Sequence, residues 1–168
     1  DAYLPLIKAH GAAVIALTID ERGMAHEVER KVEVAKRIYD IVVGEYGLPS
    51  HDLIFDPQVF PVTTGQIELR DDAKWTIEGI RRIKAECPGA LTSIGVSNVS
   101  FGIAPPARAV LNSVMLYHCV EAGLDMAIVN PAHITPYAEI DAEQRELAED
   151  LLLNRREDAL ARYIQYWQ

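Results

Sequence analysis

Four short apolar runs divide the chain: Ala12 to Ile19, Leu53 to Phe55 continuing past Val59, Leu91 to Val96, and Met126 to Val129. Their apolar positions are continuous rather than alternating, which suits strands of a parallel sheet buried on both faces. Between the runs the spacing becomes helical. Val28, Val32, Ala35, Ile38 and Val42 share one helical face, Glu27, Glu29, Arg30, Lys31 and Lys36 take the remaining faces, and Gly47 and Pro49 supply the stop. A second helix is expected from Asp71 or Asp72, where carboxylates suit a helix N-terminus, with Ala73, Ile77, Ile80, Ile83 and Cys87 inward and Pro88-Gly89 at its end. A third starts behind Pro105-Pro106, runs from Ala107 to Ala122, and stops at Gly123. It is apolar on several sides and is expected to be well buried.

The order is strand, helix, strand, helix, strand, helix, strand, with strands about every 35 to 40 residues, slightly longer than the roughly 31 of a (β/α)8 unit. The 168 residues are too few for a complete barrel, which takes about 250. The expected class is α/β, as half of a (β/α)8 TIM barrel or a small doubly wound sheet, followed by C-terminal helices. Four parallel strands cannot close, so the first and last are expected to leave open edges and exposed apolar faces, covered by a second copy or another partner. Beyond the fourth strand Pro131 and Pro136 break the chain. Asp141 to Tyr166 then reads as a charged, Leu-rich helix, interrupted or bent near Asn154-Arg155-Arg156. The tail residues Tyr163, Ile164, Tyr166 and Trp167 need burial, and so short a chain promises them no partner.

Composition narrows the function classes. The chain is 49% hydrophobic and 24% charged, as globular domains are, and its net charge of -9 argues against a general nucleic-acid or anionic-membrane binder. No apolar run approaches the roughly 18 residues of a membrane span, and Asp1 to Leu6 has no signal-peptide pattern. The chain starts without Met, as expected of a segment of something longer. Cys87 and Cys119 lie far apart, without CxxC or a nearby Cys/His set, which predicts buried, reduced thiols in a cytoplasmic protein and no metal site. Asn98-Val99-Ser100 matches a glycosylation sequon and, without a secretory signal, is read as chance.

Function in parallel α/β proteins gathers at the C-terminal ends of strands. Those ends carry Thr18-Ile19-Asp20-Glu21, Asp56-Pro57-Gln58, Gly95-Val96-Ser97-Asn98-Val99-Ser100-Phe101 and Asn130-Pro131-Ala132-His133. Acid and amide side chains therefore end every strand. There is no nucleophile-type Ser-His pair, no HExxH and no glycine-rich nucleotide loop, so polar groups that hydrogen-bond a heterocycle fit better than covalent or metal catalysis. Each residue also has a plainer reading. Asp56-Pro57 suits a strand-ending turn, Asn98 a loop-backbone bond, Asp20-Glu21 the cap of the following helix, and Arg108 a solvated surface charge or a contact to an anionic tail. His118, mid-helix among apolar residues, suits a packed or hydrogen-bonded histidine, and His133 is a weak site candidate.

Two stretches, Leu53-Ile54-Phe55-Asp56-Pro57-Gln58-Val59-Phe60 and Gly95-Val96-Ser97-Asn98-Val99-Ser100-Phe101, resemble the paired signatures of pterin-binding methyltransferase barrels. The segment Ala107 to Asn130 and the trailing Leu153-Asn154-Arg155-Arg156 resemble the cobalamin-dependent methionine synthase branch of that family. The resemblance covers nearly the whole chain and keeps the motifs in order. It implies residues 1–140 as the C-terminal half of the barrel, strands five to eight, and residues 141–168 as the last barrel helix running into the start of the helical module that caps the cobalamin.

The resemblance also implies roles. Asp56 matches the acid that bonds the aminopyrimidine side of the pterin, and a carboxylate can accept two N–H bonds from such an edge. Asn98 matches the asparagine near N5 of the folate, and so is the expected catalytic residue, with Gly95 and Ser97 on the same pterin-contacting turn. Gln58 stands where many relatives carry Asn, and Asp20, Arg108 and Asn130 are further candidates. The implied reaction moves a methyl group from 5-methyltetrahydrofolate to cob(I)alamin and on to homocysteine, with the cobalamin and a homocysteine-binding zinc on other domains. A methyltetrahydrofolate–corrinoid methyltransferase shares the barrel. Dihydropteroate synthase usually has an Arg-containing motif after the last strand, and Asn130-Pro131-Ala132-His133 has none. A structural half-barrel that binds nothing tightly is the non-enzymatic alternative.

Overall fold

The structure, a computed structural model, describes residues 2–168. Strands β1 (Val14–Leu17), β4 (Leu53–Asp56), β5 (Leu91–Gly95) and β6 (Met126–Ile128) form one parallel sheet in the order β1-β4-β5-β6. A two-residue pair, β2 (Ile19–Asp20) and β3 (Gly23–Met24), makes a small antiparallel hairpin after β1. The predicted order of four strands and intervening helices is therefore present. The first run is shorter than predicted, because the chain leaves the sheet at Thr18 to form this hairpin. The second stops at Asp56, since Pro57 has no N–H for a ladder.

The register pairs Leu17 with Asp56, Phe55 with Thr92, and Gly95 with Ile128. Alternation then separates the two faces. Leu53, Phe55, Thr92 and Ile94 lie under the helices and have no exposed surface. The opposite face presents Ile15 (60% exposed), Leu17, Met126 and Ile128 (68% exposed). Burial on both faces was the expectation from the continuous runs; among the described residues only one face is covered. The apolar positions that account for the continuous runs stand exposed on the second face.

Helix α2 (Val28–Tyr39) continues through a π-helical turn at Asp40–Glu45, α3 spans Asp72–Glu86 and α4 spans Pro105–Glu121. The predicted inward residues of α3 are all buried. A short helix α1 (Leu4–His10), with Pro5 in its first turn and Gly11 at φ 61 closing it, precedes β1 and was not anticipated. Two assignments at helix starts change. Asp20 does not cap α2; its carboxylate bonds the Arg22 N–H at 2.9 Å and the Arg30 guanidinium. Asp72 does open α3 as expected, with Asp71 before it, but its fully buried carboxylate ties down a neighbouring loop instead of capping the helix. Lys31, placed by its charge on a polar face, is also fully buried.

Beyond β6, α5 (Ala142–Leu152) is capped by Asp141, whose carboxylate accepts from the Glu143 and Gln144 N–H groups. The predicted interruption falls at 153–158, where Asn154 is left-handed at φ 48, and α6 (Ala159–Tyr166) follows. The tail does find a partner. Tyr163 has no exposed surface, and its hydroxyl donates to the Ala107 carbonyl in the first turn of α4 at 2.7 Å. Leu147, Leu152, Ala159 and Tyr163 share one apolar cluster with Leu111 and Met115 of α4. His118 is hydrogen-bonded as expected, to Glu149 at 3.0 Å.

Candidate functional site

Asp56 ends β4 on the uncovered face of the sheet, and the chain then turns sharply. Gln58 has φ 57, a conformation that costs any residue with a Cβ, and its N–H donates to Asp56 Oδ1 at 2.8 Å. Asp56 thus does end its strand in a turn, and the remaining lone pairs of its carboxylate are not spent on that turn. The turn is tied from beneath. Lys31 Nζ donates to the carbonyls of Pro57 and Gln58 at 2.5 and 3.1 Å, and Thr76 Oγ1 donates to the Gln58 carbonyl at 2.9 Å. Asp72 Oδ2 accepts the Phe60 N–H at 2.7 Å, while Oδ1 faces His26 Nδ1 at 3.2 Å.

The second part of the site follows β5. Gly95 leads into a 3-10 turn, Val96–Ser100, with Asn98 exposed at its crest. The turn is held by Arg108, which donates to the Ser97 carbonyl at 3.0 Å and to Ser100 Oγ at 3.1 Å, and by Ser100 Oγ donating to Asn112 Oδ1 at 2.7 Å. The surface-charge reading of Arg108 therefore gives way: its guanidinium braces the Asn98 turn. The two strand-end loops are joined by the Val62 N–H donating to the Val99 carbonyl at 3.1 Å and by Thr63 Oγ1 donating to the Phe101 carbonyl at 2.6 Å.

Between them lies a cleft of about 290 Å³ lined by Asp56, Gln58, Phe60, Gly95, Asn98 and Phe101. Three of the expected pterin residues, Asp56, Gly95 and Asn98, meet there. Ser97 does not; with Arg108, Asn130 and His133 it lines a separate cleft of about 360 Å³. Asn130 Oδ1 accepts the Ala132 N–H at 3.1 Å, which makes it the cap of its own turn. Asp20 lines neither cleft and is held by arginines. The Gln58 amide carries a buried Oε1 with no hydrogen-bond partner.

Burial pushes the Asp56 carboxyl above the usual carboxylate range, against the Gln58 N–H and the Lys31 ammonium, which pull it down. Burial pushes Lys31 down to about 8, opposed by Asp72 and Asp56. The cleft therefore combines a half-buried carboxylate with free acceptor capacity, an exposed amide able to donate or accept, and two aromatic rings. Such a set has the hydrogen-bonding and stacking groups that a flat heterocycle bearing N–H donors requires. Lys31 and Thr76 were missed in the sequence. A signal for Lys31 existed: it lies three residues after Val28 and four before Ala35, on the apolar stripe itself. Among the described residues no group of three or more His, Cys, Asp or Glu side chains is arranged to hold a metal ion, and no helix is long and apolar enough to cross a membrane.

A parallel α/β sheet with polar side chains gathered at its strand ends is the arrangement with which barrels and doubly wound sheets bind small molecules. The chain belongs to the pterin binding enzyme family, which matches residues 1–130. Its four-stranded sheet with helices on one face is accordingly part of a TIM barrel. It is 46% identical over 155 residues to the methionine synthase of Mycobacterium tuberculosis (strain ATCC 25618 / H37Rv), an alignment covering 92% of this chain and 13% of that protein. It is 47% identical, over the same shares, to the methionine synthase of Mycobacterium leprae (strain TN). The chain thus spans 13% of the length of these curated relatives.

Proposed function

We propose that this chain is the C-terminal half of the folate-binding barrel of a methionine synthase, which presents 5-methyltetrahydrofolate for methyl transfer to cob(I)alamin. The observation that carries this reading is the convergence of Asp56 and Asn98, from two different strand ends, on one cleft. Asp56 accepts the N–H groups of the aminopyrimidine edge. Asn98 serves N5, where charge changes as the methyl group leaves, and Gly95 gives the amide its room. Residues 1–140 supply the barrel half, and 141–168 supply its last helix and the lead into the cobalamin-capping module.

The partners on this reading are the N-terminal half-barrel, which covers the exposed Ile15 and Ile128 face, and the cobalamin domain. Cobalamin and the homocysteine zinc belong to those other parts, in a cytoplasmic enzyme. In the isolated chain a second copy takes the place of the missing half. Calorimetric titration of the full-length protein with 5-methyltetrahydrofolate, followed by mixing with cob(I)alamin and recording its absorbance, tests the reading. Stoichiometric binding and conversion to methylcobalamin are expected. A full-length protein that leaves cob(I)alamin unmethylated overturns the assigned reaction, and one that binds no folate overturns the assigned ligand.

A further inference from the structure

Lys31 is a lysine with no exposed surface, and its head group meets a loop rather than water. Its stem crosses from α2 to α3 where Gly79 leaves space; a Cβ at position 79 would lie 3.1 Å from Lys31 Cδ. Glycine inside a helix is costlier than alanine, and here it makes the passage for the lysine. The ammonium ends on the carbonyls of Pro57 and Gln58, the two residues after Asp56, at 2.5 and 3.1 Å. With the bond from Thr76, these contacts hold Gln58 left-handed, and that conformation aims its N–H at Asp56 Oδ1.

We propose, on the pterin reading above, that Lys31 is a positioning residue for the site: it fixes the Pro57–Gln58 backbone from below and so sets the direction of the Asp56 carboxylate in the cleft. Lys31 is sealed off from the cleft and acts only through this backbone and through its charge. The charge-assisted bonds it makes are stronger than a neutral donor would give. Its ammonium also favours the ionised form of Asp56, against the burial that opposes it. The titratable groups packed around it are Asp56 at the end of β4, Asp72 at the start of α3 and, through Asp72, His26 from the segment before α2.

The test uses the full-length protein and measures 5-methyltetrahydrofolate affinity from acidic to neutral pH for the wild type, Lys31→Met and Gly79→Ala. Lys31→Met is expected to bind about tenfold more weakly at neutral pH, the scale set by removing one charge-assisted hydrogen bond. The acid limb of its affinity profile is expected at higher pH, because Asp56 is then without its cation; a purely structural lysine would leave that limb in place. Gly79→Ala presses on the stem and is expected to weaken binding with the acid limb unmoved. A folded Lys31→Met protein with wild-type affinity and an unmoved limb overturns the proposal. Should Lys31→Met fail to fold, Gly79→Ala decides, and unchanged affinity there overturns it. If the wild type itself binds no folate, the pterin reading falls and the role of Lys31 falls with it, whereas equal binding by wild type and variants removes only the role of Lys31.

Discussion

The Asn98 amide lies over Gly95 so closely that a Cβ at position 95 would sit 3.1 Å from Asn98 Nδ2. Gly95 has φ -81, a conformation open to any residue, so glycine is needed there for space and not for backbone freedom.

Gly95→Ala is therefore expected to push the Asn98 side chain out of place while leaving the fold intact. In the full-length protein this should lower methyl transfer from 5-methyltetrahydrofolate by about tenfold, on the principle that a small misplacement of a reacting group is expensive. Single-turnover kinetics alongside a melting curve checks it. A loss of melting temperature in proportion to the loss of rate would count against the steric account.

On the proposed reading, Asp56→Asn replaces a carboxylate able to accept both N–H bonds of the aminopyrimidine edge by an amide that accepts on one oxygen only. Folate affinity should fall by about 1.5–3 kcal/mol, the range for a hydrogen bond to a charged group. In the wild type, affinity should fall with acid as pH drops through the raised pKa of Asp56. The same shift makes the folded chain bind more protons than the unfolded one between the two pKa values, so this group adds stability as pH falls through that window. Acid loss of binding at Asp56 is thus separable from unfolding by calorimetry paired with circular dichroism.

Asn98→Ala removes, on the proposed reading, an amide that follows the charge at N5 by rotating between acceptor and donor. Methyl transfer to cob(I)alamin should slow roughly 100-fold, by analogy with losing one preorganised donor, while folate affinity falls less. A folded variant with a normal single-turnover rate would return Asn98 to a loop-holding role.

Gln58→Gly relieves a left-handed residue at φ 57 and deletes a buried amide oxygen that has no partner. The left-handed cost of roughly 1–2 kcal/mol is offset by the greater chain entropy of glycine, about 0.5–1 kcal/mol, leaving a net gain of about 0.5 kcal/mol. Urea unfolding should show a higher midpoint with an unchanged slope. A destabilised variant would mean that the Gln58 side chain holds the turn.

Residues 1–168 expressed alone should dimerise or bind a hydrophobic dye, because Ile15, Leu17, Met126 and Ile128 stand exposed on one sheet face. Light scattering and dye fluorescence check this together. A monodisperse monomer that binds no dye would mean that the face repacks in solution.

Elements written in local periodicity were legible in the sequence. The strands at Leu53, Leu91 and Met126, the inward face of α3 and the break near Asn154 follow from patterns within a few residues, whereas the meeting of Asp56 and Asn98 in one cleft was implied by the resemblance of their two motifs to a paired family signature. What escaped depends on neighbours distant in the chain. The charge of Lys31 assigns it to a polar face, but Gly79, far along the chain in α3, makes its burial possible. Asp72 looked like a cap because it opens a helix, yet Phe60 and His26 claim its carboxylate. Arg108 looked free because the turn it braces, Ser97 to Ser100, precedes its helix and folds back over it. Short β2 and β3 and the seven-residue α1 carry too few positions for either period to show.

The Tyr163 hydroxyl rests on the carbonyl of Ala107, and the next residue, Arg108, braces the turn that carries Asn98. Anyone trimming this polypeptide to a minimal working piece meets a boundary there. A cut anywhere ahead of Tyr163 strips the plug from the start of α4, opens a hole the size of a phenol ring, and loosens the mounting of the Asn98 turn two steps away. The smallest piece worth crystallising or assaying therefore runs through α6, even though nothing in that helix touches the cleft.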